Sequence, residues 1–429
     1  MKKAYKFRIY PTSKQEIKLI KTLDTCRNLY NNSLEERIKA HELQQMSIPK
    51  IIKDNKPNEA IRLINLRKKN NYYEQQKGLV ELKEKYPEYR EVYSQVLQDI
   101  LKRLDKSFDN FFRRVKNKEN PGFPRFKSKN RFDSFTYSQK GFELKDDDLN
   151  LSKIGSIRIF QHREIEGIIK TCTIKRDIDQ WYCTIVTEIN EQITQVPIIN
   201  KVGIDVGLKT FLTLSNGSQL NSPKYLLESE RRLTKEQRRL SRKKFRKIEV
   251  TDKKTNKLKK IKVPTKNRVK QRIKVARVHR KIRNQRKDFN YKTSRKLVND
   301  YDLIVFEKLE IQNMMVNSHS IRNRNISDVA WYQLQMFTKY KAEEAGKKVI
   351  FVNPKNTSQI CSNCGIIVQK DLSVRIHNCI CGLIIDRDLN AAINILNRGM
   401  KNVPTDCGEF KPMEKQKLIN EVGSLIPLG

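Results

Sequence analysis

Two short cysteine pairs lie close together near the C-terminal end of the chain. Two residues separate Cys361 from Cys364, and one residue separates Cys379 from Cys381. Four thiolates at such spacings can hold one Zn²⁺ ion tetrahedrally, and His377 is an alternative ligand. The second pair is tighter than the usual Cys-x-x-Cys, so its turn must be sharper. The zinc is predicted to be structural, because it would stiffen a loop too small to have its own core.

Three acidic residues lie outside the charged runs of the chain. Asp205 and Glu307 each follow a short apolar run, and Asp388 lies at the expected start of a helix. A half-buried carboxylate is costly unless it is paired or bound to metal. A lone acid in such a place is more often a turn or cap residue. The three together favour a nuclease site in which two Mg²⁺ ions, about 3.5–4 Å apart, assist phosphodiester hydrolysis.

The charge of the chain predicts a polyanionic partner. Its 429 residues include 89 Lys and Arg against 48 Asp and Glu, a formal net charge of +41. Such an excess opposes compaction unless a polyanion such as nucleic acid binds. The predicted phosphate contacts, for which solvated helix faces are the alternative, are Arg238, Arg239, Arg242, Lys243, Arg277, Arg280 and Arg283, with Arg125 and Lys127 among aromatic residues.

The same composition argues against a membrane or secreted protein. The chain has no run of eighteen apolar residues, and its basic start is not followed by an apolar core. We therefore expect no membrane span and no signal peptide. Eight cysteines are too few for a disulfide scaffold, which fits a reducing cytosol. The four scattered cysteines are expected to be ordinary buried or free thiols: Cys26, Cys172, Cys183 and Cys407.

In the first half of the chain, the period of the apolar residues changes from helical to strand-like. Residues 4–10 alternate as in a strand, and Ser13–Glu16 resembles a capping box that opens a long helix. A second amphipathic helix runs from Val96 to Phe111. After Pro121, short strands with a period of two suggest a small β-barrel or sandwich. Residues 190–200 are predicted to be a linker.

The second half of the chain has the pattern of an α/β core. Residues 202–214 predict a hairpin, and residues 303–307 and 349–352 predict buried strands. A long basic region over about 226–299 predicts two helices, broken at 253–264 into a helical hairpin. Ser327 is predicted to cap a helix that bears Trp331 and ends at Gly346. This order of elements places the three acids at strand ends and at a helix start.

Taken in order, these motifs resemble those of the TnpB family, the RNA-guided nucleases of bacterial insertion sequences and relatives of type V CRISPR effectors. The resemblance covers residues 6 to about 397. Its strongest matches are Gly203–Gly207, Val305–Leu309, Asp386–Ala392 and the lead-in to the cysteines, Thr357–Cys361. Its earlier matches are Cys26–Asn31, Pro121–Pro124 and Asp133–Phe135.

The resemblance implies a multidomain α/β protein with an RNase H-like (RuvC) nuclease domain. That domain would span residues 196–400 and contain an inserted zinc module at about 355–384. Residues 1–10 and 121–195 would form a β-barrel wedge domain, and residues 11–120 a helical recognition lobe. Residues 401–429 would be a C-terminal tail.

The resemblance also implies roles for the acids. Asp205, Glu307 and Asp388 would hold the catalytic Mg²⁺ ions. Asp386 competes with Asp388 for the third place, and we favour Asp388 because related effectors resemble this chain most at Asp-x-Asn-Ala-Ala. Asp386 would then cap the helix or support the site from outside. Asn390 is either a polar contact to metal or phosphate or an ordinary residue of the first helical turn, and the second is favoured.

The implied function is RNA-guided cleavage of DNA by a transposon-associated endonuclease. The partners would be a guide RNA and a double-stranded target DNA with a short adjacent motif, without a membrane. We expect a monomer on one RNA, in the bacterial cytosol or nucleoid. The sequence does not separate a transposon nuclease from a compact CRISPR effector.

Two alternative functions belong to other classes. A cleavage-deficient, guide-directed DNA-binding repressor is disfavoured because all three acids are present. A transposase acting on element ends would use a catalytic Tyr near a His-x-His pair. The five histidines of the chain do not form that pattern.

Overall fold

The protein is described by a computed structural model, which covers residues 1–45, 71–190, 193–208, 210–223, 225–251, 258–309, 330–371 and 374–402. The side chains of residues 43–45, 139, 226, 227 and 259 are not described. The chain divides into two compact units, Met1–Glu191 and Gln192–Gly429. Within the described residues, every helix is too short or too polar to cross a membrane.

The first unit begins with a strand and continues with helices. Its elements up to residue 116 are β1 (Lys2–Tyr10), α1 (Ser13–Gln45), α2 (Tyr72–Lys77), α3 (Leu79–Lys85) and α4 (Ser94–Lys116). The predicted amphipathic helix is confirmed in α4, since Val96, Ile100 and Leu104 are fully buried. This apolar stripe packs into the core that the helices share with the sheet of the same unit.

The start of α1 differs by one residue from the prediction. The capping box is formed by Thr12 and Gln15 rather than by Ser13 and Glu16. The backbone N–H of Thr12 donates to Gln15 Oε1 at 2.9 Å, and that of Gln15 donates to Thr12 Oγ1 at 3.4 Å. The chain turns one residue earlier than predicted, because Thr12 directly follows the proline that ends β1.

Seven antiparallel strands form the sheet of the first unit. Besides β1 they are β2 (Ser134–Ser138), β3 (Phe142–Lys145), β4 (Asp148–Leu151), β5 (Gly155–Phe160), β6 (Ile168–Asp177) and β7 (Gln180–Glu188). Their order is β2-β6-β7-β1-β5-β4-β3, with β1 between β7 and β5. The predicted strands of period two are confirmed. Closure into a barrel stays a prediction, because the pairings among described residues run from β2 at one edge to β3 at the other.

The second unit is built on a five-stranded mixed sheet. Its strands are β8 (Lys201–Val206), β9 (Thr210–Leu214), β10 (Gln219–Asn221), β13 (Leu303–Glu307) and β14 (Lys348–Val352), in the order β10-β9-β8-β13-β14. β13 runs parallel to both β8 and β14, while β8 and β9 form the predicted hairpin. All five residues of β13 are buried, as its apolar sequence predicts.

The helices of the second unit are α5 (Tyr225–Ser241), α6 (Lys266–Asp300), α7 (Trp331–Glu344) and α8 (Arg387–Lys401). α5 and α6 pack together through Leu233, Val278 and Ile282, which confirms the predicted helix pair. α7 ends before Gly346, as predicted, and the predicted cap Ser327 lies outside the described residues.

The connection between α5 and α6 corrects the prediction. It is a two-stranded β-ribbon of β11 (Phe245–Thr251) and β12 (Leu258–Pro264), so residues 245–251 do not continue the basic helix. Ile248 lies directly opposite Ile261, and Val250 and Val263 lie two residues along each strand on the same face, which supplies the β-branched surface that favours a hairpin. An interpretation based only on the many lysines of this stretch misses that alternation.

Candidate active site and cysteine cluster

The three predicted acids lie at one edge of the five-stranded sheet. Asp205 lies on β8 and Glu307 is the last residue of β13. Because these two strands are parallel neighbours, their carboxyl ends meet at the same edge. Asp388 lies in the first turn of α8, a helix that packs on β8 and β13.

Two glycines let α8 lie close to the sheet. A Cβ atom on Gly203 of β8 would come within 2.2 Å of the Ala392 carbonyl oxygen and 2.6 Å of the Leu396 nitrogen. A Cβ atom on Gly399 of α8 would lie 2.4 Å from Val305 Cγ2 on β13. This close packing holds the first turn of α8 beside the ends of β8 and β13.

The electrostatics of Asp205 show that the three acids influence one another. Burial raises the pKa of the Asp205 carboxyl well above its ordinary value, and the negative charges of Glu307 and Asp388 raise it further. The guanidinium of Arg387 and the backbone N–H of Val206 act in the opposite direction. A divalent cation bound between these carboxylates would offset the repulsion of Asp205 by its two acidic neighbours.

Glu307 is buried and held from two sides. Its carboxylate Oε1 accepts a short hydrogen bond from the hydroxyl of Thr357, and its carbonyl oxygen accepts one from Gln335 Nε2 at 3.0 Å. Burial raises the pKa of Glu307, while the Thr357 bond and the charge of Arg398 lower it. Thr357 was not predicted as a site residue, although it opens the lead-in to the cysteines.

Asp386 and Asp388 play different structural roles. Asp386 is exposed, and its Oδ1 accepts from the backbone nitrogens of Asp388 at 2.8 Å and Leu389 at 3.1 Å. It is therefore the N-cap of α8, one of the two roles predicted for it. Asp388 is partly buried and lies 3.4 Å from Arg387 Nε and 3.6 Å from Arg375 Nη1. The charge of Asp388 is one of those that raise the pKa of Asp205, after burial and the charge of Glu307.

The four cysteines of the two pairs form one cluster. Their sulfur atoms all lie within 4.8 Å of one another, with Cys361 and Cys381 at 3.6 Å and Cys364 and Cys379 at 3.5 Å. Four sulfurs about 2.3 Å from a central Zn²⁺ would be about 3.8 Å apart, so the geometry fits a tetrahedral ion. Among the described residues, this is the only such cluster of His, Cys, Asp or Glu. Asp205, Glu307 and Asp388 do not form such a cluster.

The backbone turn at each cysteine pair favours metal binding. Gly365 and Gly382 follow the two pairs with φ of +81° and +86°, a conformation that glycine adopts without strain. A hydrogen bond from the Leu383 backbone, followed by hydrogen bonds from the other three thiols, lowers the pKa of the Cys381 thiol to about 6, whereas the pKa values of Cys361 and Cys379 are raised. A lower thiol pKa favours the thiolate form that binds zinc.

The alternative ligand His377 lies outside the sulfur cluster. It is fully buried, and its Nδ1 is in contact with Lys370 Nζ. Burial and the charge of Lys370 lower its pKa, which keeps the ring neutral. Of the scattered cysteines, Cys26, Cys172 and Cys183 are buried free thiols, as predicted. Cys407 lies outside the described residues.

A stripe of polar side chains on α8 holds the segment that leads to the cysteines. Asn390 Nδ2 donates to the Ile360 carbonyl at 2.8 Å, and Asn390 Oδ1 accepts from the Ser362 nitrogen at 2.9 Å. Asn394 Nδ2 donates to the carbonyl oxygens of Thr357 at 2.9 Å and Ile360 at 2.6 Å. Asn390 is thus more than the ordinary first-turn residue that we favoured.

The same stripe continues one turn further, where Arg398 Nη1 donates to the Asn353 carbonyl at 2.7 Å. Asn394 and Arg398 were not predicted. The available signal was two asparagines four residues apart, in a turn otherwise made of alanine and isoleucine. Asparagine is rarely buried without hydrogen-bond partners, so this spacing indicates a backbone contact.

The predicted phosphate contacts of the second unit lie on or just after two packed helices. Arg238 and Arg239 lie in the last turn of α5, and Arg242 and Lys243 follow its end. All four are exposed, although Arg239 also pairs with Glu236 at 3.0 Å. The other three lie on α6, where the side chains of Arg277 and Arg283 are exposed and that of Arg280 is half-buried.

The predicted contacts of the first unit lie in the irregular segment between α4 and β2. Arg125 is exposed. Lys127 is fixed through its backbone, which exchanges hydrogen bonds with the side chain of Asn31, and its Nζ lies 5.7 Å above the ring of Tyr30. Nearby aromatic rings divide into two groups. Phe123 and Phe126 are exposed, whereas Phe135 and Tyr137 fill the core.

Three family models match parts of the chain. A helix-turn-helix domain of the OrfB IS605 group matches residues 1–46, and an OrfB IS605 model described as "Probable transposase" matches residues 184–318. The Cas12f1-like TNB domain matches residues 331–395, which include all four clustered cysteines and Asp388. Residues 1–45 contain β1 and one continuous helix, α1, rather than two helices around a turn.

Relatives of nearly the same length are also similar. A Streptomyces pristinaespiralis protein, named as a candidate RNA-guided DNA endonuclease, is 32% identical over 95% of this chain and 92% of its own. InsQ of Escherichia coli K12, named in the same way, is 29% identical over 95% of this chain and 94% of its own. Cas12f1 in a cryo-EM structure of its complex with sgRNA and target DNA has a similar fold, with a TM-score of 0.52 and 16% identity over 92% of this chain and 99% of that chain.

Proposed function

We propose, from the premise that this chain belongs to the TnpB family of OrfB IS605-type proteins, that it is an RNA-guided DNA endonuclease. Relatives that match it over more than nine-tenths of its length are named as candidates for that activity. The carrying observation is that Asp205 and Glu307 lie at the adjacent carboxyl ends of parallel strands beside the first turn of α8, which bears Asp388. There burial, and then the charges of Glu307 and Asp388, raise the pKa of Asp205. Mutually repelling carboxylates at a sheet edge are suited to binding divalent cations.

The proposed reaction is hydrolysis of a phosphodiester in a RuvC-like site. Mg²⁺, when bound, supplies the Lewis acidity for activating a water molecule and stabilising the leaving oxygen. Asp205, Glu307 and Asp388 would hold two such ions. Thr357 and Gln335 keep Glu307 in place, and Asp386 fixes the first turn of α8. Arg375 and Arg387, which lie beside Asp388, would contact the scissile phosphate and leave the Asp388 carboxylate to the metal.

The cysteine cluster is proposed to hold a structural Zn²⁺. The four sulfur atoms already have tetrahedral spacing, and four protein ligands leave no open coordination position for chemistry. The segment around the cysteines has little apolar core of its own, so metal binding would supply part of its folding free energy.

We propose the following division of labour along the chain. Residues 196–400 form the RuvC-like nuclease domain with its zinc module, residues 1–10 and 121–195 the wedge, and residues 11–120 the recognition lobe. The guide RNA pairs with one strand of a double-stranded target beside a short motif, and the protein contacts the backbone of the heteroduplex. The exposed arginines of α5 and α6 suit that role, since backbone binding needs charge rather than base readout.

The test is to purify the protein with RNA from a strain that carries the element, to sequence that RNA, and to incubate the complex with a matching plasmid and Mg²⁺. We expect cleavage by the parent and at least a thousandfold slower cleavage by Asp205→Ala, on the order of the loss caused by removing a catalytic group. Equal cleavage by both would refute the site assignment. Equal RNA retention by both shows that the variant has folded.

The same experiment separates the two alternatives. A cleavage-deficient repressor would bind the matched plasmid without cutting it, in both the parent and Asp205→Ala. A transposase acting on element ends would process end sequences without any guide RNA, as the "Probable transposase" description would suggest. RNA-dependent cutting of a guide-matched plasmid that lacks those ends excludes both.

A further inference from the structure

Thr357 joins a predicted active-site acid to the helix that carries another. Its hydroxyl donates to Glu307 Oε1, and its carbonyl oxygen accepts from Asn394 Nδ2 at 2.9 Å. Thr357 is only 4% exposed. Because both its backbone and its side chain are held, Thr357 fixes the Glu307 carboxylate relative to α8, on which Asp388 lies.

Side chains of the same helix form hydrogen bonds with the backbone on both sides of the first cysteine. Asn390 bonds the carbonyl of Ile360 and the N–H of Ser362, the two neighbours of Cys361 in the chain. Asn394 bonds Ile360 as well as Thr357. Three buried side chains, those of Asn390, Asn394 and Thr357, thus connect the backbone around Cys361 to the Glu307 carboxylate.

We propose that Thr357, Asn390 and Asn394 are positioning residues through which metal binding at the four cysteines sets the place of the Glu307 carboxylate. The inference rests on the proposed function, in which Glu307 holds a catalytic ion. When the cysteines bind metal, the turn from Cys361 to Cys364 is rigid, and the backbone beside Cys361 keeps its hydrogen bonds with Asn390. Without the metal, the sulfur atoms no longer fix that turn, and Thr357 is held only by its remaining hydrogen bonds.

The hydroxyl of Thr357 has a second hydrogen-bond acceptor nearby, so its bond to Glu307 can be exchanged for another at a small cost in free energy. It lies 3.1 Å from the carbonyl oxygen of Pro354, and a hydroxyl has only one hydrogen to donate. A small displacement of Thr357 can therefore exchange the bond to Glu307 for the bond to Pro354. The buried carboxylate would then lose a charge-assisted hydrogen bond, which we expect to weaken divalent-ion binding about tenfold.

The first test measures ion binding without turnover. Mn²⁺ is titrated into the zinc-loaded full-length chain without nucleic acid, free Mn²⁺ is followed by EPR, and binding by Asp205→Ala is subtracted as background. We expect Thr357→Val, which is similar in shape, to weaken site-specific binding about tenfold at unchanged zinc content. Thr357→Ser, which keeps the hydroxyl, should bind like the parent. Parent-like binding by Thr357→Val would overturn the proposal.

The second test asks whether the cysteine cluster acts through Thr357. Zinc is removed with a chelator from the parent and from Thr357→Val, and the Mn²⁺ titration is repeated after chelator removal. We expect zinc removal to weaken Mn²⁺ binding about tenfold in the parent and less than twofold further in Thr357→Val, since coupled sites are not additive. Mn²⁺ itself has little preference for the vacated thiolates. Full additivity would refute the coupling.

A third variant covers the case in which the zinc-free module unfolds. Asn390→Ala keeps all four cysteines, so its zinc content should match the parent's, while its Mn²⁺ binding should fall severalfold. Zinc retention with parent-like Mn²⁺ binding would contradict the role of Asn390.

Cleavage assays then distinguish the two levels of the argument. Under the proposed function, Thr357→Val should need more Mg²⁺ for half-maximal cutting yet approach the parent's rate at saturating Mg²⁺, whereas Asp205→Ala should not. If the RNA-loaded parent cuts no matched DNA, the proposed function fails, and the Mn²⁺ experiments still decide the coupling. If the parent cuts and Thr357→Val shows unchanged Mg²⁺ and Mn²⁺ dependence, the coupling fails and the function stands.

Discussion

Only Arg387 separates Asp386 from Asp388, yet the different contacts of the two carboxylates predict opposite outcomes when each is mutated. Asp386→Ala removes the N-cap of α8 and should lower stability by about 1 kcal/mol without abolishing cleavage. Asp388→Ala should abolish Mg²⁺-dependent cleavage while leaving the cap intact. The pair is compared by thermal unfolding and by single-turnover cutting of matched DNA. Loss of cutting with Asp386→Ala at parent-like stability would reverse our assignment.

Lys341 provides a residue-scale test of pH dependence. It is fully buried, and its Nζ donates to the Tyr291 carbonyl at 2.5 Å and to Ser294 Oγ at 2.8 Å. Burial, assisted by the charge of Arg295, lowers its pKa from 10.5 to about 8. Between these values the unfolded chain binds more protons than the folded one, so this residue's contribution to stability rises with pH over that range and is least below it.

Replacing Lys341 with Met should remove that pH dependence. From pH 7 to pH 9.5 we expect the free energy of unfolding of the parent to rise relative to Lys341→Met, by no more than about 3 kcal/mol. Urea unfolding at the two pH values measures the difference, and contributions from all other groups cancel between the two proteins. Parallel changes in both proteins would show that Lys341 keeps its ordinary pKa in the fold.

At this scale, local chemistry was predictable and tertiary partners were not. The role of Asp386 follows from its place before a helix, and the four cysteines follow from spacing alone. The contact of Thr357 with Glu307 spans 50 residues of chain. A hydroxyl in a loop has many possible acceptors, and only the packing of α8 on the sheet selects this one.

At the scale of elements, the contact of α8 with β8 depends on Gly203. Gly203→Ala would place a Cβ atom 2.2 Å from the Ala392 carbonyl oxygen, so the helix or the strand must shift. We expect a loss of stability of about 1–3 kcal/mol, since overpacking strains the backbone. Cleavage should fall at least tenfold, because Asp205 lies two residues along the same strand and Asp388 lies on the displaced helix.

The matched control for this substitution is Gly122→Ala. A Cβ atom at Gly122 would meet nothing within 4 Å, so that variant should unfold and cut like the parent. Thermal unfolding and single-turnover cleavage are measured on both variants. A Gly203→Ala protein indistinguishable from the Gly122→Ala protein would show that the helix does not need this close approach.

The β-ribbon of β11 and β12 shows why one element was missed. Charge dominated the interpretation of residues 243–262, whereas the alternating Ile248, Val250, Ile261 and Val263 carried the signal for strands. Its base is fixed by Arg268, which lies 4.0 Å from the ring of Phe245 and donates to the Leu240 carbonyl at 2.9 Å. Those contacts depend on α6 folding back along α5, which local sequence does not reveal.

At the scale of the whole molecule, the division into a wedge, a recognition lobe and a nuclease domain stays a prediction. The linker predicted over residues 190–200 contains the boundary between the two compact units. In contrast, the predicted wedge and recognition lobe share one apolar core within the first unit. Short strands and amphipathic helices indicate which faces are buried, but they do not indicate which element covers them.

The net charge of +41 predicts that a nucleic-acid partner stabilises the whole chain. Bound guide RNA should raise the midpoint of thermal unfolding, because a ligand that binds only the folded state stabilises it. The rise should shrink with added salt, since association with phosphates releases counterions. The test variant replaces four residues with Gln: Arg238, Arg239, Arg242 and Lys243. The measured quantity is the slope of log K for guide RNA against the logarithm of the salt concentration. We expect that slope to shrink by up to about 3, because each lost contact to single-stranded RNA removes roughly 0.7.

A control of equal charge tests whether the position of these residues matters. Four lysines that already pair with carboxylates are replaced by Gln instead, namely Lys39, Lys77, Lys145 and Lys339. This variant has the same net charge as the first, so a general cationic surface predicts equal changes in slope for both. Specific phosphate contacts beside α5 predict a large change in the first variant and little in the control. Equal slopes would therefore show that guide RNA is held by overall charge rather than by the end of α5.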